Sequence, residues 1–215
     1  MKRAIAALIL FSSLLGTVAH SEVSAEFKLI AQEMQGTLSV KPMMQYKEGV
    51  VDACGFDFTA MAFDYSYKGG DPFILNGSFA VRQYRSETLA IAYKVGTLVW
   101  SGDELKPEAP HMAWIKFGKH IFKSKTVSDS DSDGYRLYAV GMSNEFKNII
   151  PVIQKQQEVF VGFNRKDGGL DVVVKLDLNV RETNAVKDKF VRTRDKNLGP
   201  EFIACFGELL NVIKK

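Results

Sequence analysis

The chain has 215 residues, of which 46% are hydrophobic and 25% charged, with a formal charge of +3 at neutral pH. These values exclude a collagen-like, low-complexity or disordered chain, and so even a balance gives no global reason to expect nucleic acid or a strongly acidic partner. Two cysteines, Cys54 and Cys205, are spaced neither as a redox CxxC nor as a zinc site.

At the start, Lys2 and Arg3 precede an apolar run over 4–18, followed by small-residue sites at Thr17-Val18-Ala19 and Val23-Ser24-Ala25. This pattern reads as a secretory signal peptide over 1–25. A membrane anchor would need about 18 uninterrupted apolar residues, and Ser12, Ser13 and Gly16 interrupt this run. No cysteine stands where a lipid-bearing leader would place one. Cleavage leaves 26–215, about 190 residues and long enough for one domain, with no further segment apolar enough to span a bilayer. The expected location is therefore periplasmic or secreted. Disulfides persist there, so Cys54 and Cys205 are expected to bond rather than stay as two buried thiols. Closing so long a loop is worth on the order of 5 kcal/mol in the chain-entropy picture.

Phe27, Ile30, Ala31 and Met34 follow the helical period, with Ser24 as a cap and Gly36 as a stop. Residues 37–46 read as a strand weakened by Pro42, and Lys47-Glu48-Gly49 as a turn. The stretch 50–68 is the longest strand signal. Cys54, Phe56, Phe58, Ala60 and Ala62 share one face, while Asp57, Met61, Phe63, Tyr65 and Tyr67 share the other. Both faces are largely apolar, which marks a central strand or one that changes its buried face. A run over 54–67 would extend roughly 46 Å, so it must coil, bend or bulge.

Lys68-Gly69-Gly70-Asp71-Pro72 then turns the chain into an alternating strand over 73–84, and Arg85-Ser86-Glu87 turns it into another over 89–100. These three segments read as an antiparallel meander. Residues 101–110 read as loop. Short strands are expected over 112–117 and 121–125, with a better one over 135–140. A helix follows, marked by Phe146, Ile149, Ile150 and Ile153, with Ser143 or Asn144 as its cap and Pro151 kinking it or delaying its start. Residues 159–163 and 170–180 flank Arg165-Lys166-Asp167-Gly168-Gly169 as a hairpin, with Leu170, Val172, Val174, Leu176, Leu178 and Val180 on one face. The polar run 182–198 reads as a solvated linker, although its Lys187, Lys189, Arg192, Arg194 and Lys196 could touch anionic lipid. A last helix carries Phe202, Cys205, Phe206, Leu209 and Ile213 in one stripe. The fold class is mainly β with minor helices: an antiparallel sandwich or strongly curved sheet with the C-terminal helix packed on it.

Asp129-Ser130-Asp131-Ser132-Asp133-Gly134 resembles the opening of an EF-hand calcium loop, where alternate carboxylates converge on the ion and glycine allows the sharp turn. The resemblance ends after six residues. Its twelfth position is Val140 instead of a bidentate glutamate, and its flanks read as strands, so Glu145 or Asp103 would have to complete a weak calcium site. Otherwise the motif is a solvated hairpin tip. No other cofactor is implied.

His111 and His120 are the histidines of the mature region, and no GxSxG, HExxH or phosphate loop accompanies them. Tyr65, Tyr67, Tyr84, Trp100, Trp114 and Tyr135 fall near strand ends or on less apolar faces, where aromatics could stack on sugars or anchor a protein. The leading expectation is a non-enzymatic exported binding or envelope-assembly protein, whose partner is a protein or envelope component met through a surface patch or sheet edge. The rival is a carrier whose curved sheet encloses an apolar small molecule against Phe56, Phe58, Leu75 and Phe79. A hydrolase is the third reading.

Overall fold

The computed structural model describes residues 23–85, 88–101, 104–124, 126–142, 146–187 and 189–213. Most of the expected signal peptide, residues 1–22, lies outside this set, as do Asp103, Ser143, Asn144 and Glu145. Ser24 caps helix α1 (Ala25–Met34), its hydroxyl accepting from the Phe27 N–H at 3.2 Å.

Four long antiparallel strands follow: β1 (Gly36–Lys47), β2 (Val50–Asp64), β3 (Asp71–Arg85) and β4 (Thr88–Ser101). The chain continues through β5 (Glu104–Glu108), β6 (Met112–Phe117), β7 (His120–Lys123), β8 (Thr126–Asp129) and β9 (Tyr135–Met142). Helix α2 (Phe146–Gln154) leads to β10 (Val159–Asn164), β11 (Val172–Leu176), β12 (Val180–Val186), β13 (Lys189–Arg194) and helix α3 (Leu198–Ile213).

The large sheet has the order β1-β2-β3-β4-β9-β8, with β5 pairing the far end of β4. A smaller sheet has the order β11-β10-β6-β7, and β12 and β13 form a separate hairpin. The two sheets and helices α2 and α3 share one core, from Cys54, Phe56 and Phe58 on β2 to Phe117, Val161 and Phe163 opposite. A smaller cluster on the outer face joins Met61 and Phe63 to Ala31 of α1, with Phe27 and Trp100 at its margin. The β2 spine thus buries both faces, in two different places. Long strands of this kind need relief, and β1 shifts register between Thr37 and Ser39 and again between Gln45 and Tyr46.

Several boundaries differ from the sequence reading. Strand β2 stops at Asp64, because that carboxylate accepts the N–H groups of Ser66 and Tyr67 and bends the chain. Residues 104–108, read as loop, form an edge strand in which Pro107 is tolerated. The strand expected over 170–180 breaks after Leu176, where Asp177 Oδ1 accepts from the Asn179 N–H at 3.0 Å. Leu170 falls outside it and is 71% exposed. The polar run is a hairpin and not a linker: Arg192 reaches back to the carbonyls of Met34, Gln35 and Thr37, tying β13 to the end of α1 and the start of β1. Helix α2 keeps Pro151 inside it.

Candidate functional site

Helix α3 carries Gly199-Pro200 in its first turn, where proline costs no intrahelical bond. Its stripe of Phe202, Cys205, Phe206 and Leu209 is buried, and Cys205 is bonded to Cys54 of β2 with Cα atoms 5.8 Å apart. That bridge fixes the helix against β1 and β2. Beside it lies a cavity of about 280 Å³ lined by Pro42, Met43 and Met44 of β1 and by Glu201, Phe202 and Ala204 of α3. Methionine thioethers and the disulfide make a soft, polarisable wall that can adapt to different shapes. Glu201 is held by Arg181 Nη2 at 3.1 Å, and Arg181 Nε also meets Asp195 Oδ2 at 2.6 Å, so the carboxylate at the rim is already partnered.

The cavity adjoins a sheet edge that is open among the described residues. Strand β1 ends the large sheet, and the hairpin covers only its beginning, where Thr183 donates to the Leu38 carbonyl at 2.8 Å. From Lys41 to Lys47 the edge faces solvent, with Met44 39% and Tyr46 62% exposed. Pro42 has no N–H to offer a neighbour, which suits an edge position. Two-residue alternation puts the Met44 N–H and C=O on the same side as the proline nitrogen.

The residues proposed for a carrier cavity lie elsewhere. Phe56, Phe58, Leu75 and Phe79 are each no more than 1% exposed and fill the shared core. Phe56 packs at a tilt against Phe79 at 5.4 Å, and Phe79 meets Phe117 of the small sheet at 4.6 Å. Asp129 ends β8 and faces Arg136 across the β8–β9 hairpin, while Asp131 and Asp133 belong to the turn. Asp129 is 95% exposed, and among the described residues no group of three acidic, histidine or cysteine side chains is placed to hold a metal. His111 lies 3.7 Å from the exposed carboxylate of Asp167, and His120 is exposed at the start of β7.

The singled-out aromatics divide. Trp100 packs on Phe27 at 4.3 Å, and Tyr67 donates to the Leu170 carbonyl. Tyr65 and Tyr84 are exposed, and Lys94 sits over the Tyr135 ring at 4.6 Å. The buried tyrosines were not singled out. Tyr93 and Tyr138 stack at 5.1 Å, and burial pushes the Tyr93 hydroxyl up to about 12 and Tyr138 in the same direction. Neither hydroxyl ionises near neutrality.

Sequence reasoning also missed a polar cluster at the end of the sandwich. Arg165, read as a turn residue, packs beside the edge-to-face pair of Phe73 and Phe163, its guanidinium 5.7 and 5.5 Å from their centroids. It meets Asp64 at 2.6 Å and Glu108 at 2.8 Å, and Lys68 meets the same glutamate at 3.2 Å. Two cations balance two carboxylates, which makes this a clamp between β2, β5 and the β10–β11 turn. Asp64 at the end of an apolar strand was the one available signal.

The chain matches no protein family, no curated protein and no solved structure.

Proposed function

We propose that this is an exported, non-enzymatic binding or envelope-assembly protein, and that it receives an extended peptide segment of a partner along the open edge of β1. The observation that carries this reading is the apolar cavity between Met43, Met44 and Ala204, set beside unpaired strand edge. Strand addition supplies main-chain hydrogen bonds, and a pocket under the edge selects one side chain. At about 280 Å³ the cavity is smaller than most pockets that enclose a whole small-molecule ligand, about 300–1,000 Å³. This size favours an anchoring side chain over a complete lipid. A second copy fits poorly: antiparallel pairing about Met44 would set Lys41 against Lys47 of the other copy at both ends.

The disulfide supports the compartment, since such bridges persist in oxidising surroundings. The test is selection of displayed peptides on the oxidised protein, followed by binding to an Ala204→Trp variant whose new ring fills the cavity. Selected peptides should share one large apolar residue in an extended segment and lose at least tenfold in affinity to the variant. Binding that ignores the substitution would refute the edge site, and uptake of labelled fatty acid by delipidated protein would favour the carrier.

A further inference from the structure

The outer face of the small sheet is unlike the solvated face of an ordinary antiparallel sheet, which alternation normally makes polar. Register sets two rows of side chains across its four strands. One row runs Lys175, Phe160, Lys116 and Ile121. The next runs Val173, Gly162, Trp114 and Lys123. Neither row contains an acidic residue. Ile121 is 57% and Val173 53% exposed, so no other described element covers this face at those positions.

Trp114 is the centre of the patch. A Cβ built on Gly162 would lie 2.1 Å from Cε2 and Cζ2 of the indole, so the ring lies directly on the β10 backbone and only glycine leaves room for it. The indole N–H donates to Asp171 Oδ2 at 2.8 Å, which fixes the ring in its plane. Asp171 also accepts from Asn164 at 3.4 Å, and Glu158 is paired with Lys175. Glu158 is thus neutralised, whereas Asp171, held by two neutral donors, keeps its charge at the edge of the ring. Lys123 has no ion pair among the described residues, and the Lys116 ammonium lies 5.6 Å from the Phe160 centroid. Lys123 is the cross-strand neighbour of the tryptophan, at about 5 Å, and Lys116 stands two residues along the same strand, at about 7 Å.

We propose that this face binds an acidic polysaccharide, one sugar ring stacking on Trp114 and carboxylates of that sugar and its neighbour meeting Lys123 and Lys116. A flat indole with its underside covered offers one broad apolar surface, the shape needed to stack on the C–H face of a pyranose. The lysines supply the complementary charge. An anionic bilayer also attracts lysine and tryptophan, but a membrane-inserting aromatic must project from the surface, and this ring is pressed against it. The site lies on the small sheet, away from the β1 edge, and does not depend on the peptide reading.

The test uses the oxidised protein carrying Trp100→Phe, so that Trp114 alone reports by fluorescence, titrated with hexagalacturonate and with maltohexaose. Hexagalacturonate should change the emission saturably, weaken with added salt and bind at least tenfold more tightly than the neutral sugar. Lys123→Gln and Lys116→Gln, both at surface positions, should each weaken it several-fold with an unchanged urea midpoint, and Trp114→Phe should retain part of the affinity that Trp114→Ala loses. Equal binding of the neutral sugar, indifference to the lysine substitutions, or a blue shift with phosphatidylglycerol vesicles but none with the saccharide would overturn the proposal.

Discussion

Arg165 Nε stands 2.6 Å from Asp64 Oδ2, across 101 residues of sequence, with the arginine side chain 6% exposed and the aspartate fully enclosed. The guanidinium packs against the paired rings of Phe73 and Phe163, and little of either charged side chain reaches solvent. Removing one partner of such a pair leaves a buried charge and costs about 3–5 kcal/mol. Asp64→Ala should lower the unfolding free energy by that amount in urea, and Asp64→Ala combined with Arg165→Met should recover most of the loss. A double variant as unstable as the single one would show that the Asp64 turn, not the ion pair, carries the effect.

The bridge between Cys54 and Cys205 spans 151 residues. Replacing both cysteines by alanine should destabilise the fold by about 5 kcal/mol through the freer unfolded chain. Denaturant curves for the two proteins should show this as a lower midpoint. A midpoint within error of the parent would mean that the packing of α3 alone determines its place.

Asp177 links the hairpin to the core. Burial alone would raise its pKa, but hydrogen bonds from Asn179 and the neighbouring Arg194 outweigh that and hold it below the usual aspartate value. A depressed folded pKa contributes stability above the unfolded value, near 4, and that contribution disappears as pH falls through the folded value. Arg194→Ala should therefore raise the Asp177 pKa and move acid loosening of β12 and β13 to higher pH. Titration followed by carboxyl NMR shifts would read this directly.

Arg192 holds three carbonyls at the junction of α1 and β1. Arg192→Ala should cost about 2 kcal/mol, in line with hydrogen bonds from a charged donor. It should also speed amide exchange in β12 and β13 more than in β2. Uniform acceleration would instead indicate that the hairpin unfolds only with the whole domain.

Under the proposed export, the structure separates the two candidate cleavage sites. Val23 is buried and Ser24 caps α1, so a cut after Ala25 would remove both, including a cap worth about 1 kcal/mol. A cut after Ala19 spares them. Intact mass and N-terminal sequencing of exported protein should give His20 as the first residue. A chain beginning at Glu26 would contradict this.

The strands and the outer helices were legible because their signals are local. Alternation in β2 identified the Cys54 and Phe56 face, the helical period identified the Cys205 stripe, and an even cysteine pair identified the bridge. What was hidden depends on contacts far apart in sequence. Arg165 looked like a hairpin residue because its partners, Asp64 and Glu108, lie 101 and 57 positions earlier. The 182–198 run looked like a linker because its polarity serves α1 and β1 instead of solvent. Trp114 could be named as a candidate, but its setting required knowing that Gly162 faces it across β6 and β10. The aspartate motif shows the same limit: Asp129 is 95% exposed, and Asp103 and Glu145, expected to complete a site with it, lie outside the described residues.

The reach of the disulfide also sets a schedule. A ribosome adding about 5–20 residues per second takes about 8–30 s to travel the 151 positions between the two cysteines. For that interval Cys54 is a lone thiol on the strand that organises the large sheet, with no partner yet made. The chain must either delay closure of its core or keep that thiol reachable, so maturation depends on when an oxidant meets it as well as on how its side chains pack.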